Sequence, residues 1–509
     1  MREIALRRVR ISVALSAVVL AGTLTGAAGP SGDSARAVAP APARALETAI
    51  IPNPIGLSEE NQDLQFARIR AAGATAVRLE ARWSTIAPNR RPGFDPTNPG
   101  DPAYRWLGLD NAVRRARAHD LEPILLVFSA PGWAQAKRPR GSRRRRHDGP
   151  YKPSPAAFGQ FATALARRYS GSFEDLPRVR AFIAWNEPNI YRYLTPQRVR
   201  GRLFSPLWYR RMVNEFASAI HGVHADNLVV AGALLFNGAG DRISPMPFMR
   251  KMLCMSQRMR KNGKRGRPHP ACRARVAFDV WSHHPYSRGD PFHHASNPDD
   301  VMIGDLGRMR ALLKAAVTAR HVVSKRRIEF WVDEFSYDSR PPDRSRDAVP
   351  LGLHARWVSE SLYQMWRAGV SLATWFLLRD EPVRRPKPGG YGQSGLYRNR
   401  RLTEELHMDR PKPALTAFRF PFVAYRRGGR VIVWGRTPTS QSGRVAIEVA
   451  RKGKWTKLKT LRAGSRGIFT RRFRYRGRAN AKLRARFEAR TSRSFSLRRP
   501  RDRFVLAFG

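Results

Sequence analysis

Acidic residues are scarce in this sequence: 39 Asp and Glu stand against 94 Lys and Arg, for a net charge of +55. Such an imbalance invites a nucleic-acid reading. The excess is mostly arginine and is spread along the chain, with no helix-turn-helix, zinc-finger or RNP-like pattern to organise it. No specific nucleic-acid partner is expected. Adhesion to an anionic cell-wall polymer through the basic surface is the expected consequence of the charge.

Cysteine is almost absent. Cys254 and Cys272 are the two present, and no Cys/His spacing resembles a structural zinc site. They bracket a basic segment, Lys261 to Pro270, which a disulfide would close into a loop; two unpaired thiols are the alternative. Long apolar runs are also few. One extends from Ile11 to about Gly26 behind Arg2, Arg7, Arg8 and Arg10, and Ala37-Val38-Ala39 follows as a small-x-small cleavage site. This pattern reads as a signal peptide over 1–39 and a mature Ala/Pro-rich tail over 40–46, with an uncleaved anchor as the alternative. A secreted, extracellular or cell-wall-associated protein is expected, with no membrane span after signal removal. No Gly-rich phosphate loop follows the first strand, which argues against a dinucleotide fold.

What is present suffices for a folded core: 42% of residues are hydrophobic and 10% aromatic. From about Glu47 to Asp380, short apolar runs alternate with longer amphipathic ones, the rhythm of a parallel sheet. Strands are expected at Thr48–Ile51, Ala76–Glu80, Pro123–Phe128, Arg180–Trp185, Leu228–Ala233, Ala277–Trp281, Ile328–Val332 and Leu372–Phe376. Helical spacing marks Asn61–Ala72, Phe158–Tyr169, Tyr209–His221 and His354–Arg367, with Gly73 and Gly369 as stops. Eight strands with helices between them imply an α/β fold, a (β/α)8 TIM barrel over 47–412. After Pro413 short alternating stretches from Val431 to Phe487 indicate a small C-terminal antiparallel β-sandwich, an accessory domain over 413–509.

Two of the expected strands end in carboxylates. Strand four runs Phe182 to Trp185 and leads into Asn186-Glu187-Pro188, where the proline stops further pairing. Strand seven runs Phe330-Trp331-Val332 into Asp333-Glu334. Alternation implies that these last two side chains face opposite ways, so Glu334 is placed in the mouth and Asp333 in a supporting hydrogen bond elsewhere. Both motifs fall at the C-terminal mouth, where such barrels do their chemistry. Carboxyls about 5–5.5 Å apart can divide the work of a retaining glycosidase.

These residues resemble the retaining glycosidases of clan A, the cellulase-like and β-xylosidase-like superfamily, over roughly residues 47–380. The resemblance implies Glu187 as acid/base, because it follows Asn186 after strand four, and Glu334 as the ionised nucleophile at the end of strand seven. It further implies that Arg78 supports the nucleophile and that Asn186 bonds the sugar 2-hydroxyl. His284 and Tyr286 would contact the nucleophile or the sugar, with the choice between His283 and His284 set by register. Trp375 would be a platform beneath the sugar, with a core role as the alternative, and Trp133 would line a neighbouring subsite. Substrates would be polysaccharides or glycosides, β-linked by analogy, and the mechanism needs no metal or organic cofactor. Zinc binding by His283, His284, His293 and His294 is a rival reading. The loop after strand three, with Lys137, Arg138, Arg140 and Arg143–Arg146, is placed on the catalytic face, where it would meet an anionic glycan. A non-catalytic glycan- or polyanion-binding protein is the alternative to an enzyme.

Overall fold

The computed structural model describes residues 45–53, 58–90, 92–141, 148–259, 265–341, 348–381, 392–399, 405–498 and 500. The expected signal peptide, nearly all of the tail, and the run Arg143–Arg146 lie outside the described residues.

Eight parallel strands close into a barrel: β1 (Glu47–Ile51), β2 (Ala76–Arg82), β3 (Glu122–Phe128), β4 (Ala181–Ala184), β5 (Leu228–Leu235), β6 (Val280–His284), β7 (Glu329–Phe335) and β8 (Leu372–Phe376). Neighbours in sequence are neighbours in space, and β8 closes on β1 with Ile50 opposite Trp375. The strands read as nearly continuous apolar runs because one face fills the barrel and the other meets the helices. In β5 every residue from Val229 to Leu235 is buried.

The helical layer comprises α1 (Glu59–Ala71), α2 (Leu107–Ala118), α3 (Pro155–Arg168), α4 (Ser205–Val223), α5 (Pro245–Met252), α6 (Leu306–Thr318) and α7 (Leu351–Ala368). Local chemistry sets their ends. The Ser154 side chain accepts the Ala157 amide and Pro155 opens α3, while Gly369 ends α7 in the left-handed region at φ 80°.

Most strand ends shift from the expected ranges by one or two residues, and two larger differences shape the mouth. The sixth begins at Val280, because Val276–Ala277 instead pairs with Val322–Val323 in a separate ladder. The shift draws His283 and His284 into β6. The seventh continues to Phe335, with a register shift against β8 between Val332 and Phe335. Cys254 and Cys272 are disulfide-bonded, clamping the antiparallel pair Met255–Met259 and Arg265–Pro270 that follows α5.

Beyond α8 (Pro413–Arg419) the chain is antiparallel β: β9 (Phe422–Arg427), β10 (Arg430–Arg436), β11 (Gly443–Arg451), β12 (Lys454–Ala463), β13 (Ile468–Arg474) and β14 (Lys482–Phe487). They form two sheets, ordered β9-β10-β13 and β12-β11-β14. All described residues fall in one compact unit, and one hydrophobic core runs from the barrel into these sheets. Trp434 of β10 packs between Tyr363 and Trp366 of α7 at ring distances of 5.5 and 5.7 Å. Arg436, fully buried, donates to the Leu46 carbonyl and the Thr48 hydroxyl, tying β10 to β1. Among the described residues no helix is long and apolar enough to cross a membrane.

Candidate active site

Chain geometry aims Glu187 inward. Directly after β4, Trp185 and Glu187 take positive φ of 78° and 41°, unusual for side-chain-bearing residues. Their surroundings hold them there. The Trp185 amide bonds the Val127 carbonyl, its indole bonds the Tyr193 carbonyl, and the Glu187 amide bonds the Ala233 carbonyl. Strain fixed by several neighbours is characteristic of functional sites.

Glu187 faces Glu334 across the mouth. One carboxylate oxygen of each, with a ring nitrogen of His284, lie within 4.8 Å of one another. Glu334 is held from two sides: Arg78 of β2 reaches Oε2 at 2.9 Å, and the Tyr286 hydroxyl donates to Oε1. Arg78 also donates to the Asp333 carbonyl at 3.0 Å and lies 3.6 Å from its Oδ2. Asp333 therefore sits beneath Glu334 in the same cluster, although strict alternation would send it to the opposite face. The register shift in β7 permits this.

His284 links Glu187 to Asp333. Its Nδ1 lies 3.0 Å from Glu187 Oε1 and its Nε2 3.2 Å from Asp333 Oδ2. Burial opposes its charge, but Asp333 and Glu334 and the hydrogen bonds to Asp333 and Glu187 outweigh burial, and its pKa rises to about 10. The imidazolium then donates both N–H groups. Burial also opposes the Asp333 carboxylate, yet His284 and Arg78 hold its pKa below the ordinary range. Glu187 behaves differently. Burial pushes its pKa up, Glu334 adds to the rise, and His284 and Arg78 restrain it.

The neighbouring histidine belongs to the frame. His283 is buried against the Val301 carbonyl at 2.8 Å, and burial depresses its pKa to about 3. His294 bonds Asp305 at 2.8 Å instead of joining His283 and His284, so the four-histidine zinc arrangement does not form. The Glu187–His284–Glu334 group has metal-ligand spacing, but both His284 nitrogens already face carboxylate oxygens. Asn186 lies beside Glu187 with its Oδ1 buried and unpaired.

Trp375 departs from expectation. It is fully buried and packs edge-on against Phe335 at 5.0 Å and beside His354 of α7 at 5.6 Å, with its indole N–H bonded to the Ser394 carbonyl. Phe335 follows Glu334 and so faces the helices, and Trp375 faces them with it. The tryptophan is core packing and no sugar platform. Phe376, on the opposite side of β8, is partly exposed. Trp133 is half-buried and packs on Trp83 and Phe94, with its N–H on the Ala87 carbonyl.

Beside these residues opens a cavity of about 730 Å³, lined partly by Arg82, Phe128, Gly132, Arg138, Arg192 and Tyr193. Arg138 is paired with Asp148 at 3.2 Å and Arg82 with Glu80 at 3.4 Å, and Arg82 also lies over the Phe128 ring at 4.5 Å. Tyr193 joins cavity and carboxylates: burial raises its pKa, and Glu187 and Glu334 raise it further. Sequence reasoning missed Tyr193, whose position after a loop carries no periodic signal.

No family model and no curated protein matches the chain. Among solved structures, it is similar to a family 39 glycoside hydrolase from the gut symbiont Bacteroides cellulosilyticus WH2, with 15% identity, 85% of this chain and 79% of that chain covered, and a TM-score of 0.51. The likeness is one of fold. Two others are a GH39 enzyme from Xanthomonas axonopodis pv. citri, at 14% identity, 85% and 92% coverage and a TM-score of 0.48, and a monomeric β-xylosidase from Caulobacter crescentus CB15, at 16%, 84% and 94%, and 0.47.

Proposed function

We propose that this protein is a secreted retaining glycoside hydrolase acting on a polysaccharide or glycoside, by analogy β-linked. The observation that carries the reading is the Glu187–Glu334 pair, with carboxylate oxygens within 4.8 Å and unlike surroundings. A separation near 5 Å suits direct attack; inverting enzymes need about 6.5–9.5 Å to seat a water.

Glu334 is the nucleophile. Arg78 and Tyr286 fix its two oxygens, so one can approach the anomeric carbon with little reorganisation. Glu187, buried and raised in pKa, donates its proton to the leaving glycosidic oxygen as the carbon–oxygen bond breaks. The covalent glycosyl-enzyme removes the negative charge on Glu334 and so favours ionised Glu187. Glu187 then takes a proton from water, whose oxygen attacks the anomeric carbon and releases Glu334. The unpaired Asn186 Oδ1 is the acceptor for a sugar hydroxyl. No metal or organic cofactor takes part. Arg192 in the adjoining cavity favours a substrate with acidic groups, in keeping with the anionic polymer expected from the charge.

Purified protein screened against aryl glycosides and cell-wall polysaccharides, beside Glu334→Ala, tests this directly. Activity that vanishes in the variant is expected. Activity unchanged by the substitution would overturn the assignment, and glycan binding without turnover would favour a binding protein.

A further inference from the structure

One face of the β9-β10-β13 sheet carries a row of like charges. Arg427, Arg430 and Arg474 stand directly opposite one another across the three strands. Arg472 lies two residues before Arg474 and so shares their face. With Arg426 and Arg476 they line a cavity of about 520 Å³, completed by Gly428, Gly429 and Tyr475. All six arginines are exposed, and among the described residues no carboxylate lines the cavity. Nearby, by contrast, Arg484 and Arg486 both close on Glu448.

Like charges directly opposite in a sheet destabilise it. Folding gives no reason to align three guanidiniums, whereas a polyanion neutralises all of them at once. Single-stranded nucleic acid fits poorly, because Tyr475, the aromatic residue of the cavity, is buried and presents no ring for base stacking; duplex DNA is the competing polyanion that the binding test separates. We propose that this face binds an extended acidic polysaccharide through its carboxylate or sulfate groups, at a site separate from the barrel mouth. Guanidinium forks suit either oxyanion. Such a site goes beyond the hydrolase reading and does not depend on it.

Binding of the whole protein to polygalacturonate, dextran sulfate, neutral dextran and duplex DNA, titrated at rising NaCl, tests the proposal. The triple variant Arg430→Gln, Arg472→Gln, Arg474→Gln is compared with Arg70→Gln, Arg105→Gln, Arg114→Gln, which removes the same charge from exposed barrel positions. The patch variant should bind at least one acidic polysaccharide roughly tenfold more weakly and with a shallower salt dependence, while the control stays near the native protein. The two acidic polymers separate carboxylate from sulfate. Thermal midpoints check folding, and the patch variant should melt no lower than the native protein. Equal losses in both variants, no binding to either acidic polymer at low salt, or preference for DNA would each overturn the proposal.

Discussion

At Glu187, burial and charge pull in different directions, and pH reads the balance. Its pKa is raised, chiefly by burial, and the protonated form is the acid the first step needs. Activity should therefore persist above the ordinary carboxylate range and fall as pH rises through the raised value. Glu187→Gln should remove that alkaline limb and lower kcat by about 10²–10⁴ on substrates with poor leaving groups; the loss should be much smaller on nitrophenyl glycosides. pH–rate profiles on both substrate types check this. His284 makes a second prediction. Its pKa of about 10 lies above its ordinary 6.5, so its stabilisation is complete below about pH 6.5 and is lost as pH rises through 10. Asp333, held low, loses its contribution on acidification instead. The thermal midpoint should fall between about pH 6.5 and 10. His284→Asn should lessen that slope and cost about 3–5 kcal/mol at neutral pH by stranding Asp333. An identical slope in the variant would remove His284 from the account. The carboxylates were legible because each ends an apolar run, and Arg78 was legible within its strand. The roles of Trp375 and Tyr193 were not: the first turns on which face of β8 it takes, the second on a loop path.

Single elements hold the mouth in register. Gly232 in β5 has φ 108°, and an added Cβ would overlap the Ser282 carbonyl of β6. Its amide bonds the Tyr209 hydroxyl, and the next amide bonds the Ser282 hydroxyl, at 3.0 and 2.9 Å. Gly232→Ala should cost about 2 kcal/mol or more through strain and displace His284, two residues beyond Ser282. Lower thermal stability together with lower kcat is the expected result; unchanged values for both would show that β5 absorbs the Cβ. The disulfide acts at the same scale. Cys254 and Cys272 are 18 residues apart, and a loop of that length is worth about 3 kcal/mol by restriction of the unfolded chain. Replacing both with serine should lower the unfolding free energy, read from denaturant titration, by that amount while leaving kcat nearly unchanged. Periodicity located all eight barrel strands, since apolar runs between amphipathic segments survive small errors in their ends. It could not place the start of β6, where Val276–Ala277 is as apolar as the strand but pairs elsewhere.

Across the whole molecule, barrel and C-terminal sheets share one core. The sequence marks the change to alternating strands after Pro413, but alternation says nothing of what the inner face covers. Here it covers α7, through Trp434 against Tyr363 and Trp366 and through Arg356 over the Phe495 ring at 3.9 Å. Truncation after Lys412 should leave that helix exposed and the barrel poorly soluble, read by soluble yield and by hydrogen exchange in α7. A stable, fully active truncated barrel would contradict the shared core. The central claim concerns covalent chemistry at one carboxylate, and intact-protein mass spectrometry with peptide mapping tests it. The protein is incubated with a 2-deoxy-2-fluoro glycoside of a sugar it turns over. A gain of one fluoroglycosyl unit, mapped to Glu334, is predicted. A label on Glu187, or an active enzyme that acquires none and releases product of inverted anomeric configuration, would contradict the account.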